Sequence, residues 1–342
     1  MKTNSELILS DSETCFENSM FDVVSWNKIS ISEGIFSLPS FVERNAEFLK
    51  TKYLSLIYNF GEHVIDGNRI IDHLVIRQNF SYWWMTLLTE KCNLFKSPQI
   101  NNIIKLMALE LWLHDKKYQK IKFISANEDL SMAVSLLANK MLIDFEWVNE
   151  KSKKSNKSLL RRAFQMLPNI LKSPIWLLHY IYSNWALKGV GLKEWNQTNA
   201  TTTFVSYLFN LAPESIKRVK YESPYWGTLT DLIDNNQHST NWLHIYVKDN
   251  ILPSAKKARD LIKGFNYEAK GSQVHVTLAS FLSAPLIFHT LKDWYKVLKL
   301  NKIVGEKIQI NSGYLWPLLK KDYLDSMSGI PAMNNLLYFN VF

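Results

Sequence analysis

The stretch QKIKFISANEDLSMAVSLLANKMLIDFEWV, residues 119–148, decides the fold class. We predict short strands at Lys122–Ser125 and Leu142–Val148. Between them, Asn127 is a typical N-cap, and the residues that follow predict a helix through Lys140. A strand, a helix and a second strand form a βαβ unit, whose two strands run parallel.

The turn of this unit, Ala126–Asp129, lacks the glycines of a dinucleotide-binding loop. It presents the carboxylates of Glu128 and Asp129 instead, which would repel a pyrophosphate. We therefore reject a dinucleotide cofactor site at this turn.

The same alternation returns after Thr201. The predicted strands are Thr203–Phe209, Trp242–Val247 and Gln273–Leu278, and the predicted helices are Tyr225–Asn235, Pro253–Lys263 and Ala284–Leu300. Strands that alternate with helices predict an α/β fold with a Rossmann-like, largely parallel sheet and helices on both faces.

The first half of the chain is harder to divide. Residues 1–50 are predicted as a polar lead and a helix near Leu38–Leu49, and residues 51–342 as one Rossmann-like domain. Tyr53–Phe60 alternates and ends at a glycine, so we predict a strand that presents Glu62 and His63 at its carboxyl end. An apolar stripe predicts a helix over Ile100–His114.

The segment Phe80–Cys92 combines paired tryptophans with polar residues and is predicted as one helix. At helical spacing, Tyr82, Thr86 and Glu90 form a polar row beside an aromatic face that includes Trp83 and Trp84. Either this is an amphipathic core helix, or the polar row lines a sugar-binding cleft. The periodicity leaves both interpretations open.

Composition limits the possible partners and compartment. The chain has 342 residues, 47% of them apolar, and a net charge of +9, which favours an anionic partner such as nucleic acid, an acidic membrane or a phosphorylated substrate. Two cysteines, Cys15 and Cys92, are too few for a disulfide framework, and the polar, acidic start is unlike a signal peptide. We therefore expect a cytoplasmic protein. No HExxH, CxxC or DxD motif predicts a metal site.

Residues 149–195 interrupt the alternation and are predicted as a helical, amphipathic insertion. A basic run leads into the apolar and aromatic segment Leu167–Leu187, which polar residues interrupt too often for a membrane span. An interfacial membrane helix and a helical hairpin packed on the sheet both fit. For the first, the candidate contacts with an anionic membrane are Lys153, Lys154, Lys157, Arg161, Arg162 and Trp176. Nucleic acid is less favoured, because the lysines do not interleave with aromatic residues across a sheet.

Several motifs resemble the N-terminal part of bacterial surface-carbohydrate biosynthesis proteins, glycosyltransferases of O-antigen and capsule pathways. In the first half of the chain they are Ser81–Met85, Glu90-Lys91, Lys96–Pro98 and Leu106–Glu110. In the second half they are Phe204–Tyr207, Tyr225–Gly227, Asn241–Val247 and His275–Thr277, so the resemblance covers roughly residues 38–342.

The resemblance implies a GT-B architecture, in which two Rossmann-like lobes face a cleft, with the acceptor mostly on the first lobe and the nucleotide sugar mostly on the second. The chain ends after about one lobe, inside the apolar run Leu336–Phe342, so we expect an acceptor lobe whose C-terminal donor lobe is missing. The implied partners are a lipid-linked glycan acceptor, a nucleotide sugar as co-substrate and a possible donor-lobe polypeptide. We expect no bound cofactor, and a peripheral location on the inner membrane.

Sugar transfer in an inverting enzyme needs a base for the acceptor hydroxyl. The candidate bases are Glu90, with an ion pair to Lys91 or Arg77 as the alternative, and His63, with an ordinary loop histidine as the alternative. The candidate substrate contacts are Tyr82, Thr86, Glu62, Tyr225, Trp226, Gly227 and His244. Tyr225–Gly227 would open a helix whose free N–H groups receive a hydroxyl or an anion. For His244, in mid-strand, a structural role is the favoured alternative.

Two hypotheses follow. The first is a glycosyltransferase, or its acceptor-binding half, that acts on a lipid-linked glycan. The second is a non-catalytic scaffold that binds glycan or membrane, or the product of a truncated gene.

Overall fold

The computed structural model describes residues 5–12, 21–29, 35–90, 99–150, 163–164, 166–235 and 239–341. They fall into two compact units. Unit 1 comprises Met1–Asn169 with Tyr295–Ala332, and unit 2 comprises Ile170–Trp294 with Met333–Phe342.

Unit 1 is built on a five-stranded parallel sheet. Its strands are β1 Glu6–Ser10, β2 Asp22–Ser25, β3 Ile35–Ser37, β4 Lys120–Ser125 and β5 Asp144–Asn149. Their order across the sheet is β3-β2-β1-β4-β5, and every pair is parallel. The prediction of a Rossmann-like α/β fold is confirmed.

The two central strands carry the core of this sheet. Leu7 and Leu9 of β1 pair in register with Ile121 and Phe123 of β4, and all four side chains are fully buried. Along both strands, fully buried residues alternate with half-buried ones, so one face of the pair carries the core.

Unit 2 contains a second parallel sheet. Its strands are β6 Thr202–Tyr207, β7 Thr240–Ile245 and β8 Gln273–Thr277, in that order. The strands predicted in one domain over residues 51–342 therefore belong to two sheets.

Thirteen helices lie in the described part of the chain. The first seven are α1 Leu38–Arg44, α2 Ala46–Glu62, α3 Ile70–His73, α4 Gln99–Leu113, α5 Glu128–Lys140, α6 Asn169–Asn184 and α7 Leu192–Gln197. The others are α8 Pro213–Arg218, α9 Leu229–Asn235, α10 Ala255–Ala269, α11 Ala284–Ser312, α12 Trp316–Ser328 and α13 Ile330–Phe339. Among these residues, no helix combines the length and apolarity that crossing a bilayer requires.

The βαβ unit of residues 119–148 is confirmed. The Asn127 side chain accepts from the backbone N–H of Leu130 at 3.1 Å, which caps α5 as expected. The predicted helix from Ile100 and the strands after Thr201 are also present, with ends that differ from the prediction by at most two residues.

Three strands lie where we predicted a polar lead. Strands β1, β2 and β3 fall within residues 1–50, and they have only five, four and three residues. Segments this short show too little of a two-residue period to be recognised.

Two predicted elements are wrong. Tyr53–Phe60 is part of α2, where Tyr53, Ile57 and Phe60 form one buried face at helical spacing. Phe80–Cys92 is not one helix: residues 80–81 pair with residues 75–77 in a short antiparallel ladder, and residues 82–85 form a single 3-10 turn. Similarly, the helix predicted from Tyr225 begins only at Leu229.

A carboxylate on one helix of unit 1 binds side chains from three other helical segments. Glu110 on α4 accepts hydrogen bonds from Lys52 of α2 at 2.6 Å, Lys140 of α5 at 2.7 Å and the Tyr314 hydroxyl at 2.8 Å. Burial alone would raise the pKa of Glu110, but these three donors outweigh burial and lower the pKa from 4.5 to about 2.

A close backbone approach fixes the start of α7 in unit 2. The backbone of Gly191 has φ +75°, and a Cβ atom there would lie 2.3 Å from the carbonyl oxygen of His275. His275 belongs to β8, which lies at one edge of the three-stranded sheet. The Asn266 side chain accepts from the His275 N–H at 2.6 Å and donates to the His275 carbonyl at 2.9 Å.

We expect Glu110→Gln to lower the free energy of unfolding at pH 7 by about 3 kcal/mol, because a pKa held near 2 instead of 4.5 corresponds to that difference. In the wild type this stabilisation is complete above pH 4.5 and is lost as the pH falls toward 2. Urea unfolding at several pH values measures it. The control Glu47→Gln removes an exposed ion pair with Lys50 and should hardly change the free energy of unfolding. Equal effects of both variants would contradict the prediction.

We also expect Gly191→Ala to destabilise the protein by at least about 3 kcal/mol, since it adds a steric clash to the cost of a left-handed backbone. Gly189→Ala is the matched control: its φ is +76°, but no atom lies within 4 Å of the added Cβ. It should cost only about 1 kcal/mol. Thermal or urea unfolding of the two variants gives the comparison, and similar losses would show that the contact with His275 is unimportant.

Candidate functional site

The strand order of unit 1 reverses between β1 and β4. From β1 the sheet continues through β2 to β3 on one side, and from β4 to β5 on the other. In open parallel sheets, ligands bind outside the carboxyl ends of the strands at such a reversal, because the loops there leave in opposite directions and open a crevice.

Four polar side chains meet at this point. The Ser125 hydroxyl at the end of β4 donates to Asp11 Oδ2 at 2.6 Å, directly after β1. The Asn27 side chain donates to the Asp11 carbonyl at 2.9 Å, and Lys105 Nζ of α4 donates to Asn27 Oδ1 at 2.9 Å. We call Asp11, Asn27, Lys105 and Ser125 the switch-point site.

Burial shifts both charged groups of the switch-point site toward neutrality. The pKa of Asp11 is raised, mainly by burial and also by the nearby Glu150, although the Ser125 hydrogen bond and Lys105 act in the opposite direction. The pKa of Lys105 is lowered by burial, against the charge of Asp11. A carboxylate with a raised pKa is a stronger base than an ordinary one, which suits it to proton transfer.

The surrounding backbone holds the site in place. The N–H of Asn127 donates to Ser125 Oγ at 2.9 Å, and the Trp147 indole N–H donates to the Ser125 carbonyl at 2.9 Å. On the β2 side, the N–H of Trp26 donates to the carbonyl of Ser10 at 2.8 Å, and its buried indole donates to Asn102 at 3.1 Å. Ser125 itself is completely buried, so its hydroxyl is a fixed donor to Asp11.

A carboxylate, an amide and an ammonium can together bind hydroxyl groups and one anionic group. Glu128 and Asp129 occupy the first turn of α5 beside this edge, which agrees with the rejection of a pyrophosphate there. No group of three His, Cys, Asp or Glu side chains in the described ranges has the arrangement of a metal site.

The predicted polar row of Tyr82, Thr86 and Glu90 is not formed, because the segment is not a helix. Tyr82 is completely buried, and its hydroxyl donates to the carbonyl of Ser326 at 2.5 Å. Thr86 is also buried and donates to the carbonyl of Trp83 at 2.8 Å. Tyr82 and Thr86 therefore face the core and not a cleft, and Trp84, expected in the apolar face, is 59% exposed.

Glu62 and His63 lie at the end of α2, not at the end of a strand. Glu62 forms an ion pair with Arg69 at 3.1 Å, and Arg69 also binds Asp72 at 2.7 Å. Glu90 is half-buried, and its N–H donates to the carbonyl of Thr86. The roles of Glu90 and His63 as bases stay predictions.

His244 is completely buried in β7 and lies parallel to His275, with Nε2 and Nδ1 of the two rings 3.0 Å apart. Burial favours a structural role, and the role of His244 as a substrate contact stays a prediction. Burial lowers the pKa of His244 to about 3 and that of His275 well below its ordinary value. In both cases burial favours the neutral ring.

Tyr225–Gly227 precedes a helix but does not begin it, so these residues lack the free helical N–H groups that we expected. Tyr225 is 72% exposed, whereas the Trp226 indole donates to Ser206 at 3.1 Å and stacks edge-on against Trp242.

The basic membrane candidates Lys153, Lys154, Lys157, Arg161 and Arg162 lie outside the described residues. Trp176 of α6 is half-buried and packs against Tyr180 with ring centroids 5.3 Å apart.

Sequence reasoning missed the whole switch-point site. A signal for Asp11 was present, since the apolar run Leu7–Leu9 followed by Ser-Asp-Ser is typical of a buried strand that ends in a polar loop. Asn27 and Lys105 carry no local signal, because they are 78 positions apart and only the fold brings them together.

Comparisons of the chain with protein-family models, curated proteins and solved structures found no significant match. The geometry of the site therefore carries the functional argument.

We expect the stability of Asp11→Asn relative to the wild type to be greater at pH 7 than at pH 4. Because the pKa of Asp11 is raised in the folded state, the unfolded chain ionises first as the pH rises from 3.8, and the wild type loses stability over that range. The asparagine does not titrate. Urea unfolding at the two pH values tests this, with Asp115→Asn, whose side chain is 92% exposed, as the control. A stability difference independent of pH would contradict it.

Proposed function

We propose that the chain takes part in glycosyl transfer during the synthesis of a bacterial surface polysaccharide, and that unit 1 holds the glycan acceptor at the switch-point site. The observation that carries this proposal is the Asp11 carboxylate, with its raised pKa, beside Lys105 at the reversal of a parallel sheet. The motifs that resemble surface-carbohydrate biosynthesis proteins support the choice of reaction.

In the proposed reaction, Asp11 is the base. The acceptor hydroxyl oxygen attacks the anomeric carbon of the donor sugar, the bond from that carbon to the phosphate oxygen breaks, and the hydroxyl proton passes to Asp11. Asp11 replaces Glu90 and His63 in this role because Ser125 fixes its carboxylate at 2.6 Å and burial raises its pKa, so it accepts a proton more readily.

The neighbouring cation serves the same step. Lys105 donates to Asn27 at 2.9 Å, and its ammonium carries two further protons that can hydrogen-bond acceptor hydroxyls or an acceptor phosphate. Its charge also lowers the pKa of Asp11, against the larger effect of burial, and so favours the ionised form that a base requires.

The nucleotide sugar is proposed to come from a partner. No loop after any of the eight sheet strands contains the paired glycines of a phosphate-binding loop. A separate donor-lobe polypeptide, together with a lipid-linked glycan and a nucleotide sugar, therefore remains the proposed set of partners.

Asp11→Asn should reduce sugar transfer by at least about 100-fold, because it removes the base and leaves the shape of the site unchanged. The measurement is restoration of surface polysaccharide in a strain that lacks the gene, since this supplies every partner. Asp115→Asn is the matched control and should restore the polysaccharide fully. Asp115 is exposed and lies in the loop that leads into the amino end of β4, away from the carboxyl end that carries Ser125.

The outcomes separate the two hypotheses. If deletion abolishes the polysaccharide and Asp11→Asn restores it, Asp11 is not the base, and the scaffold hypothesis is favoured once Glu90→Gln and His63→Gln restore it as well. If deletion leaves the polysaccharide unaltered, the proposed function is wrong.

A further inference from the structure

Helix α6 of unit 2 exposes a continuous stripe of large apolar side chains. Its buried face consists of Ser173, Leu177 and Asn184. The opposite face carries the exposed stripe, which we define as Leu171, Ile175, Leu178, Tyr182 and Trp185, exposed by 50, 44, 68, 83 and 56% respectively.

The spacing makes the stripe one surface. Its members follow one another at alternating intervals of four and three residues, and Trp185 lies in the 3-10 turn that directly continues α6. That interval places all five on one side of the helix. Single exposed apolar residues are ordinary, but five aligned on one helix face are typical of a docking surface.

The segment of the sequence that contains this helix carries charge of one sign. Residues 151–193 contain nine lysines and arginines and no aspartate or glutamate. The net charge of the whole chain is +9, so the other residues hold 31 of each sign and this segment accounts for the entire excess. Within the described part, Lys188 sits over the Trp185 ring at 4.5 Å from its centroid, which places a cation at the end of the stripe.

We propose that the exposed stripe docks α6 lengthwise on an anionic lipid surface. Leu171, Ile175 and Leu178 would enter the boundary between head groups and acyl chains, whereas Tyr182 and Trp185 suit the head-group level, where amphipathic rings are enriched. The basic segment supplies attraction to anionic lipids. Charge complementarity argues for an anionic lipid surface as the occupant, because residues 151–193 carry nine basic residues and no acidic one. This surface is separate from the switch-point site and does not depend on the proposed sugar transfer.

The test is flotation of the full chain with lipid vesicles. We expect binding to vesicles of phosphatidylcholine with about one-third phosphatidylglycerol, and much weaker binding to phosphatidylcholine alone. Leu178→Gln with Tyr182→Gln should weaken binding to the anionic vesicles by about tenfold or more, because two inserted side chains are lost.

The chain provides a matched control. Leu54 and Tyr58 of α2 have the same residue types and the same spacing on a helix, and are 37% and 63% exposed. Leu54→Gln with Tyr58→Gln should bind vesicles as the wild type does. Circular dichroism confirms that each variant is folded.

Three results would overturn the proposal. The first is a wild type that does not bind the anionic vesicles. The second is equal binding by the two double variants, which would assign attraction to charge alone. The third is a dimer, seen by light scattering, that Leu178→Gln with Tyr182→Gln converts to a monomer, which would make a second copy the occupant of the stripe. Polysaccharide restored by a variant that no longer binds vesicles would separate this surface from the proposed function.

Discussion

The hydrogen bond from Ser125 Oγ to Asp11 Oδ2 joins the two strands between which the five-stranded sheet reverses its order. It forms because β1 and β4 are the buried centre of the sheet, so each must end in a polar residue before its loop turns away. The completely buried Ser125 fixes the direction in which it donates. This hydrogen bond partly offsets the cost of burying the Asp11 carboxylate. Because its two residues lie at the ends of neighbouring strands, the site depends on the register of β1 and β4.

The strongly periodic elements were predictable, and the short or irregular ones were not. In residues 119–148, two strands and a capped helix agree in length, period and N-cap, so each signal supports the others. Tyr53–Phe60 alternates in the sequence, but its buried residues Tyr53, Ile57 and Phe60 are four and three positions apart, which is helical spacing. Phe80–Cys92 has helical spacing in the sequence but does not form one helix. Asn79 has φ +62° in the turn of the short antiparallel ladder, and the next residues pair in that ladder. The Tyr82 hydroxyl then donates to the carbonyl of Ser326.

The candidate site shows where local patterns stop being informative. Glu62 and His63 were selected at the carboxyl end of a predicted strand, and Glu90 as part of a polar row beside an aromatic face. Two members of that row, Tyr82 and Thr86, satisfy their hydroxyls inside the core. Buried hydroxyls must find partners, so a polar residue in an apolar segment is equally a sign of packing. Lys105 lies on an apolar helix and looks solvated in the sequence; only the approach of Asn27, 78 residues earlier, shows otherwise.

A lipid-linked glycan has a polar end and a membrane-anchored end, and the chain offers a surface suited to each. The switch-point site presents hydrogen-bonding and charged groups, whereas α6 presents Leu171, Ile175 and Leu178 within a segment that carries the whole excess positive charge. Under the two proposals, docking on a membrane confines the protein to the surface on which such an acceptor is concentrated, which raises the acceptor concentration that the chain meets.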